Sequence, residues 1–205
     1  ADLPEKPKRK RAYKKVKTMK RPPRGDSIEK RPAEVETRET FGHWEGDTVY
    51  SKKDGSKALF VLTERLTREE IIVRIKDRTA ESVIKALDRI ERKYGPVLFR
   101  KIFQTITVDN GGEFADVDRL ERSALRKTLN RTKVYFCHPY SSYERGSNEC
   151  QNKMIRRPFP KGTDFGNVTD AEVAQAERWM NNYPRKILGW KTSEMLFREC
   201  VAALI

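Results

Sequence analysis

The chain contains few of the residues that build disulfide frameworks or zinc sites, with three cysteines and two histidines among its 205 residues. Cys137, Cys150 and Cys200 are widely spaced and none belongs to a CxxC pair, a pattern typical of reduced thiols in a cytosolic protein. Cys137 precedes His138, but structural zinc is four-coordinate and the only other histidine is His43. The sequence therefore favours reduced thiols and argues against structural zinc.

Long apolar stretches are missing as well. No run approaches the ~18 apolar residues that a membrane-spanning helix needs, and the chain begins with charged residues instead of a signal-like segment. The sequence therefore indicates neither membrane insertion nor secretion.

Acidic residues are in deficit: 30 Asp and Glu stand against 44 Lys and Arg, which gives a formal net charge of +14. This surplus favours a polyanionic partner, because each phosphate that is neutralised releases condensed counterions and adds salt-dependent affinity. A solvated cationic surface is the alternative. The uneven distribution favours DNA, since residues 1–24 carry eleven basic and two acidic residues, or +9 of the total.

The first 40 residues are expected to form a basic flexible arm, followed by one folded domain at 41–205. Residues 1–24 include four prolines and almost no apolar periodicity, as in segments that stay unfolded and follow a DNA backbone. A nuclear-localisation or solubilising tail is the other interpretation. The candidate DNA contacts in the arm are Lys8, Arg9, Lys10, Arg11, Lys14 and Lys15.

Hydrophobic periodicity predicts an α/β domain from residue 42 onward. Three β-rich segments separated by short turns predict adjacent antiparallel strands at 45–50, 58–64 and 71–76. The further predicted elements are a helix at 79–94, a strand at 102–108, a helix at 116–129, a strand at 133–137, a helix that contains Glu149 and ends before Pro158, and helices at 170–181 and 193–203. The order βββαβαβ is similar to that of the ribonuclease H-like fold, a mixed five-stranded sheet flanked by helices.

Three carboxylates lie in three separate polar motifs: Asp47 in GHWEGDT, Asp109 in TVDNGGEF and Glu149 in RGSNECQN. Hard divalent cations such as Mg²⁺ prefer oxygen ligands. Two such ions about 3.5 to 4 Å apart activate an attacking oxygen and stabilise the leaving oxygen during displacement at phosphorus. In a chain this basic, the carboxylates predict metal-dependent phosphodiester chemistry on DNA.

Each carboxylate also has a plainer interpretation. Asp47 is predicted on a strand, on the same face as Glu45. There it is either a buried carboxylate, which is costly unless it holds a cation or an arginine, or an edge residue that faces water. Asp109 precedes Asn-Gly-Gly, which favours a turn by itself. Glu149 is either a metal ligand or one half of a solvated ion pair with Lys153.

Basic and amide side chains share the helical face of Glu149, at positions −4, +3, +4 and +7 from it. A carboxylate in these surroundings suits a metal ligand flanked by contacts to DNA phosphates. With two basic residues that follow, these candidate DNA contacts are Arg145, Asn152, Lys153, Arg156, Arg157 and Lys161.

Together the motifs resemble the DDE transposase and retroviral-type integrase superfamily, and more closely the insertion sequence thirty family of bacterial transposases. The resemblance covers about residues 27–197. It includes RPAEVE before the first motif and NYPRKILGWKTSE at 182–194, which is similar to the family's closing motif. The resemblance implies that Asp47, Asp109 and Glu149 are the catalytic and metal-binding residues, with two Mg²⁺ or Mn²⁺ ions as cofactor.

The resemblance also implies a polynucleotidyl transferase that cuts double-stranded DNA at the ends of a mobile element and transfers the freed 3′-hydroxyl into target DNA. It implies a homo-oligomer on DNA, located at the nucleoid in a bacterial cytoplasm. A metal-dependent nuclease of the same fold, which cuts without joining, is one alternative. A non-catalytic DNA-binding protein derived from a transposase is another, and a ribonuclease is weaker because the sequence offers no aromatic platform for single strands.

The chain departs from the family pattern at three points, one of which is that it starts in the basic linker, whereas the family normally begins with helix-turn-helix segments. His43 stands where the family usually has an acidic residue, which leaves Asp47 as the first ligand. The second and third carboxylates are separated by 39 residues, and Glu144, which would give 34, is a rival expected in the loop before the helix. The GxxExxN spacing around Glu149 is that of integrases and favours Glu149.

Overall fold

A computed structural model of the chain describes residues 25–51, 57–139 and 141–205. Within these residues the strands are β1 (Asp26–Ser27), β2 (His43–Tyr50), β3 (Ala58–Glu64), β4 (Glu70–Ile75), β5 (Thr105–Val108) and β6 (Lys133–Phe136). The α-helices are α1 (Glu34–Thr37), α2 (Ala80–Tyr94), α3 (Pro96–Ile102), α4 (Val117–Glu121), α5 (Gly146–Ile155), α6 (Asp170–Asn181) and α7 (Ser193–Ala202).

The described strands form one mixed sheet in the order β1-β6-β5-β2-β3-β4. β2, β3 and β4 pair in antiparallel fashion, as their short connections predict, while β5 runs parallel to β2 and to β6. The expected mixed sheet flanked by helices is confirmed. It has six strands instead of five, because the two-residue β1 also pairs with β6 and is too short to give a period-two signal.

Two apolar cores cover the two faces of the sheet. β3 is buried along its whole length, and its side chains alternate between the cores as strand geometry requires. Phe60 and Leu62 join the larger core with Trp44 and α2, whereas Leu59 and Val61 join a second core with α5 and α6. The second core therefore packs α5 against the sheet.

The predicted helix at 79–94 is confirmed as α2. Thr79 caps its first turn by accepting a hydrogen bond from the Ser82 main-chain N–H. Gly95 ends the helix with a φ of 75°, a conformation that favours glycine. The buried face of α2, which includes Leu87, completes the larger core.

The strand predicted at 102–108 is shorter than expected, because an unpredicted helix precedes it. α3 begins with Pro96 in its first turn, where a missing N–H leaves no helical hydrogen bond unmade. Phe99 and Ile102 are buried on α3 and pack into the larger core. The strand therefore starts only at Thr105.

The helix predicted at 116–129 is also shorter than expected and ends at Glu121. The buried Arg131 guanidinium donates to the main-chain oxygens of Arg119 at 3.1 Å and Leu120 at 2.9 Å. These bonds satisfy carbonyls that the last helical turn leaves open. The early end depends on a residue outside the helix, which helical periodicity does not detect.

Residues 25–40, which we expected within the arm, contact the sheet. β1 pairs with β6, and Arg31 and Val35 are buried. Arg31 donates to the Thr107 hydroxyl at 2.8 Å and also pairs with Glu36. The candidate DNA contacts that lie outside the described residues are Lys8, Arg9, Lys10, Arg11, Lys14 and Lys15.

Cys137, Cys150 and Cys200 are free thiols in the structure. Burial raises the pKa of the Cys137 thiol to about 12, so this sulfur stays protonated at neutral pH. Among the helices of the described residues, none is long and apolar enough to cross a membrane.

A cluster of acidic side chains lies where β4 begins beside α6. Asn181 at the end of α6 donates to the Glu69 carboxylate at 3.0 Å and to the main-chain oxygen of Glu70 at 2.8 Å. Burial, together with the nearby charges of Glu177 and Glu194, raises the pKa of Glu69 to about 8. Glu69 is therefore protonated in the folded chain at neutral pH, whereas it is ionised in the unfolded chain.

We predict that Glu69→Gln removes part of the pH dependence of stability. The raised pKa gives Glu69 a stabilising contribution that is fully present below its unfolded pKa of 4.5 and is lost as pH rises through about 8. Urea titrations across this window should show the free energy of unfolding falling with pH in the unmodified chain and falling less in the variant. The exposed Glu39→Gln is the control, and coinciding curves for all three chains would contradict the assignment.

Candidate active site

Asp47 and Asp109 lie on neighbouring strands. β2 and β5 run in parallel, with Glu45 opposite Thr107. The same register, continued along both chains, brings Asp47 beside Asp109, which directly follows β5. Both side chains keep access to solvent, with 22% and 41% of their surface exposed. The sheet therefore brings two carboxylates to one accessible position.

A guanidinium bridges these two carboxylates. Arg145 lies 3.3 Å from one oxygen of Asp47 and 3.1 Å from one oxygen of Asp109. It also donates to the main-chain oxygen of Gly46 at 3.0 Å. Burial disfavours its charge, but the two carboxylates outweigh burial and raise the pKa of Arg145. The position between Asp47 and Asp109 thus stabilises a cation.

Neutral donors hold the other oxygen of each carboxylate. Asn152 donates to the second oxygen of Asp47 at 2.8 Å, and the Gly111 main-chain N–H donates to the second oxygen of Asp109 at 2.8 Å. Both carboxylates are therefore fixed in rotation, with their remaining oxygens turned toward the Arg145 guanidinium.

Glu45 docks the N-terminus of α5 on β2. Its carboxylate accepts the main-chain N–H of Asn148, in the first turn of the helix, at 2.8 Å. In return, the Asn148 side-chain amide donates to the main-chain oxygen of Glu45 at 3.2 Å. The negative charge also faces the positive end of the helix dipole. This pair fixes where α5 begins relative to β2.

The polar face predicted for α5 runs along β2. Asn152 contacts Asp47, and Arg156 donates to the main-chain oxygen of Tyr50 at 3.2 Å. Glu149 lies on this helix, one turn before Asn152, but its side chain lies outside the part of the chain that the structure describes. Among the described side chains, no group of three His, Cys, Asp or Glu residues is arranged to hold a metal ion. The structure thus brings together two of the three predicted ligands.

The rival carboxylate Glu144 is engaged elsewhere. One of its oxygens accepts the His138 main-chain N–H at 2.8 Å, and the other lies 2.7 Å from Nδ1 of the same histidine. The hydrogen bond and the charge of Glu144 raise the pKa of His138. Both oxygens of Glu144 are therefore already engaged by His138.

The buried Glu45 carboxylate needs a counter-charge, and Arg65 supplies it. The two side chains lie 2.6 Å apart and are almost fully buried, with 0% of Glu45 and 2% of Arg65 exposed. Arg65 also donates to the main-chain oxygen of Val35 at 3.1 Å. Because desolvation makes an unpaired charge costly, Arg65 and the first turn of α5 together compensate Glu45.

A further carboxylate borders Asp109. Glu113 is buried and accepts hydrogen bonds from the Thr48 hydroxyl at 2.6 Å and from Arg78 at 2.7 Å. A Cβ at Gly111 would lie 2.8 Å from an oxygen of Asp109 and 2.5 Å from an oxygen of Glu113. Glycine at this position therefore lets both carboxylates approach the main chain.

His43 joins two strands. It is buried, and its Nδ1 lies 2.8 Å from the Thr105 hydroxyl on β5. Burial lowers its pKa, so the ring is neutral at neutral pH. Its contacts are those of a packing residue between β2 and β5.

The candidate DNA contacts on and after α5 fall into two groups. Lys153, Arg157 and Lys161 are exposed, whereas Arg145, Asn152 and Arg156 are partly buried. The first group is free to meet a phosphate at the surface, and the second contacts the strand that carries Asp47.

The sequence motifs did not identify the residues that hold the site in place. Glu45 shares a strand face with Asp47, and period-two alternation was the one signal that pointed to it. Arg65 and Asn148 become its partners only through the tertiary fold, so no local pattern identifies them. Glu113 belongs to the TVDNGGEF motif, but the Asn-Gly-Gly before it favours an exposed turn, so its burial was not predicted.

Comparison with protein families gives one match over half of the chain. The integrase core domain family matches residues 37–142, a segment that contains Asp47 and Asp109 and ends before Glu149.

Several transposases are similar to most of the chain. The transposase for insertion sequence element IS4351 of Bacteroides fragilis is 36% identical over 174 residues, which are 85% of this chain and 50% of that protein. The probable transposase for insertion-like sequence element IS1161 of Streptococcus salivarius is 34% identical over 96% of this chain and 53% of that protein. Transposase InsI for insertion sequence element IS30A of Escherichia coli is 35% identical over 87% of this chain and 43% of that protein. The predicted resemblance is confirmed, and the chain spans about half the length of these relatives.

Retroviral integrases share the fold. The catalytic core domain of BIV integrase superposes with a TM-score of 0.55 at 16% identity, over 80% of this chain and 98% of that one. A chain of a simian T-cell lymphotropic virus intasome superposes with a TM-score of 0.56 at 19% identity, over 76% of this chain and 53% of that one. At these identities the likeness concerns the fold, and it confirms the predicted ribonuclease H-like architecture.

We predict that Arg65→Met lowers the free energy of unfolding by about 3 to 5 kcal/mol, because it leaves the Glu45 charge buried without its partner. Urea titration followed by circular dichroism measures the loss. The control is Lys85→Met, which removes an exposed pair with Glu81 and should cost less than about 1 kcal/mol. Equal losses in the two variants would show that the buried pair does not constrain the fold.

Proposed function

Since the chain belongs to the integrase core domain family, we propose that it is the catalytic part of a DDE-type DNA transposase. It cuts double-stranded DNA at the ends of a mobile element and joins the freed 3′-hydroxyl to target DNA. The observation that carries this proposal is the pair of oriented carboxylates, Asp47 and Asp109, held against the polar face of α5. Similarity to transposases over most of the chain favours joining over plain nuclease activity.

The residues of the site fit a hard divalent cation, Mg²⁺ or Mn²⁺. Carboxylate oxygens are the ligands that these ions prefer, and Asp47 and Asp109 already share one cationic group, the Arg145 guanidinium. We assign two ions to Asp47, Asp109 and Glu149. Ions bound there would activate the attacking hydroxyl and stabilise the leaving oxygen of the phosphodiester.

The contribution of the protein itself is position and charge. Asn152 and the Gly111 N–H orient the two carboxylates before any ligand arrives, which lowers the cost of reaching the reactive geometry. Direct attack by water or by a 3′-hydroxyl forms no covalent bond to the protein, so no serine or tyrosine nucleophile is needed. Glu113 restricts the movement of the loop after Asp109 through its bonds to Thr48 and Arg78.

Exposed cations beside the site contact the DNA backbone. Lys153, Arg157 and Lys161 meet phosphates close to the carboxylates, while the basic residues of 1–24 add affinity that is independent of sequence. Because two element ends are joined to one target, the active form is a homo-oligomer on DNA. Its place is the bacterial cytoplasm, at the nucleoid.

We predict that Asp109→Asn and Glu149→Gln each lower strand transfer more than about a hundredfold, because even an outer partner of a metal ligand is worth tenfold to a hundredfold. The assay follows joining of a labelled pre-cut element end to a plasmid in Mn²⁺, with DNA binding measured in parallel and expected to persist. Asp118→Asn, an exposed carboxylate on α4, is the matched control.

Full joining by Asp109→Asn would contradict the assignment of this residue. Metal-dependent cleavage by the unmodified chain without any joined product would instead favour the nuclease, and DNA binding with neither activity would favour the non-catalytic alternative.

We also predict that Arg145→Gln strengthens Mn²⁺ binding about threefold to tenfold, because the guanidinium occupies the carboxylate oxygens that the ion needs. Isothermal titration calorimetry without DNA measures this affinity. Lys153→Gln removes the same charge from an exposed position of α5 and should change the affinity little. If both substitutions changed the Mn²⁺ affinity equally, the effect would come from net charge and not from competition by Arg145 at the carboxylate oxygens.

A further inference from the structure

The loop between α6 and α7 exposes three large hydrophobic side chains, Tyr183, Ile187 and Trp190, and the last two are the most exposed. Ile187 is 72% exposed and Trp190 is 68% exposed, whereas Trp44 is fully buried and Trp179 is 38% exposed. Both side chains stand in the closing motif at 182–194, which has no part in the carboxylate site. Two large apolar side chains exposed three residues apart are candidates for contact with a partner.

The loop presents these side chains on a well-defined main chain. The Trp190 N–H donates to the Arg185 main-chain oxygen at 2.9 Å, and the Arg185 N–H donates to the Lys191 main-chain oxygen at 3.1 Å. Gly189 and Trp190 both have positive φ angles, of 61° and 66°. Tryptophan disfavours this conformation, so the closing hydrogen bonds hold the indole at the tip.

Arg185 connects the loop to α5. Its guanidinium donates to the Gln151 side chain at 3.1 Å and to the main-chain oxygen of Met180 at 2.9 Å. Gln151 in turn donates to the main-chain oxygen of Arg68 at 2.9 Å. Because α5 also carries Asn152, the loop is tied to the helix that borders the candidate active site.

The sequence around the exposed side chains is basic. Residues 178–191 contain four basic and no acidic residues. Lys186 is exposed at the tip, and Lys191 lies next to Trp190, although it also lies 3.4 Å from Glu199. One exposed indole is not the extended aromatic platform that binds single strands. Between cations that meet phosphates, it suits contact with one base of a duplex. A second copy of the same loop would bring like charges together.

We propose that the loop at 183–191 is a DNA-contacting wedge. Trp190 and Ile187 pack against a base at an unpaired or unstacked step, and Lys186 contacts an adjacent phosphate. The inference rests on the proposed function. It assigns DNA contact to a second surface, separate from the carboxylates. Apolar wedges of this type partly unstack a base step and kink the duplex.

The tryptophans allow a direct test. Trp179→Phe leaves Trp190 as the one exposed tryptophan of the described residues, and Trp190→Phe leaves Trp179. Acrylamide quenching is measured for both variants with and without a duplex that contains one unpaired base. DNA should lower the quenching constant by about half or more in Trp179→Phe and change it little in Trp190→Phe. Equal protection in both variants, or none in Trp179→Phe, would overturn the proposal.

Affinity provides the second readout. The double variant Ile187→Ala, Trp190→Ala should bind this duplex about fivefold to a hundredfold more weakly, with an unchanged thermal midpoint because both side chains are exposed. Met195→Ala, which truncates another exposed apolar side chain, is the control and should bind normally. Lys186→Gln should reduce the slope of log affinity against log salt by about one.

The outcomes separate this inference from the function on which it rests. If the unmodified chain binds no DNA at any ionic strength, both fail. If it binds and the double variant binds equally well, the wedge alone is wrong. Self-association that the double variant abolishes, measured by light scattering with DNA affinity unchanged, would overturn the wedge in favour of contact between copies.

Discussion

The buried carboxylate of Glu45 on β2 holds α5 in place. Arg65, at 2.6 Å, pairs with this carboxylate, and the Asn148 N–H in the first turn of α5 donates a hydrogen bond to it at 2.8 Å. In a low-dielectric interior this charge tolerates little displacement, since losing either partner leaves it undercompensated. The start of α5 is therefore fixed on β2. Glu149, the residue after Asn148, is placed on a helix that cannot slide along the strand without breaking this contact.

One strand thus carries two carboxylates with different roles. Glu45 is fully buried, whereas Asp47, two residues further along β2, has 22% of its side chain exposed beside Asp109. Each exposed carboxylate has one oxygen held by a neutral donor and one oxygen turned toward Arg145. Neutral donors thus orient the two carboxylates, and the Arg145 guanidinium lies between them.

Local sequence patterns predicted the parts of the fold that depend on local physics. Period-two alternation predicted that Glu45 and Asp47 share one face of their strand, and the helical spacing around Glu149 predicted a shared polar face. That the carboxylates meet was expected from the three motifs and the family resemblance. Arg31 shows where such reasoning ends: it stands in the expected arm, yet it is buried and donates to the Thr107 hydroxyl. Contacts between residues far apart in the sequence determine where helices and strands end and which charged side chains are buried. A short segment of sequence does not reveal them.

The central claim, that Asp47, Asp109 and Glu149 hold one metal centre, is tested most directly by iron-mediated cleavage of the protein. Fe²⁺ is loaded in place of Mg²⁺, ascorbate and peroxide generate hydroxyl radicals at the ion, and mass spectrometry locates the cuts in the main chain. We predict cuts near all three residues, which disappear together in Asp109→Asn. Cuts confined to the neighbourhood of Asp47 and Asp109, with none near Glu149, would contradict the account.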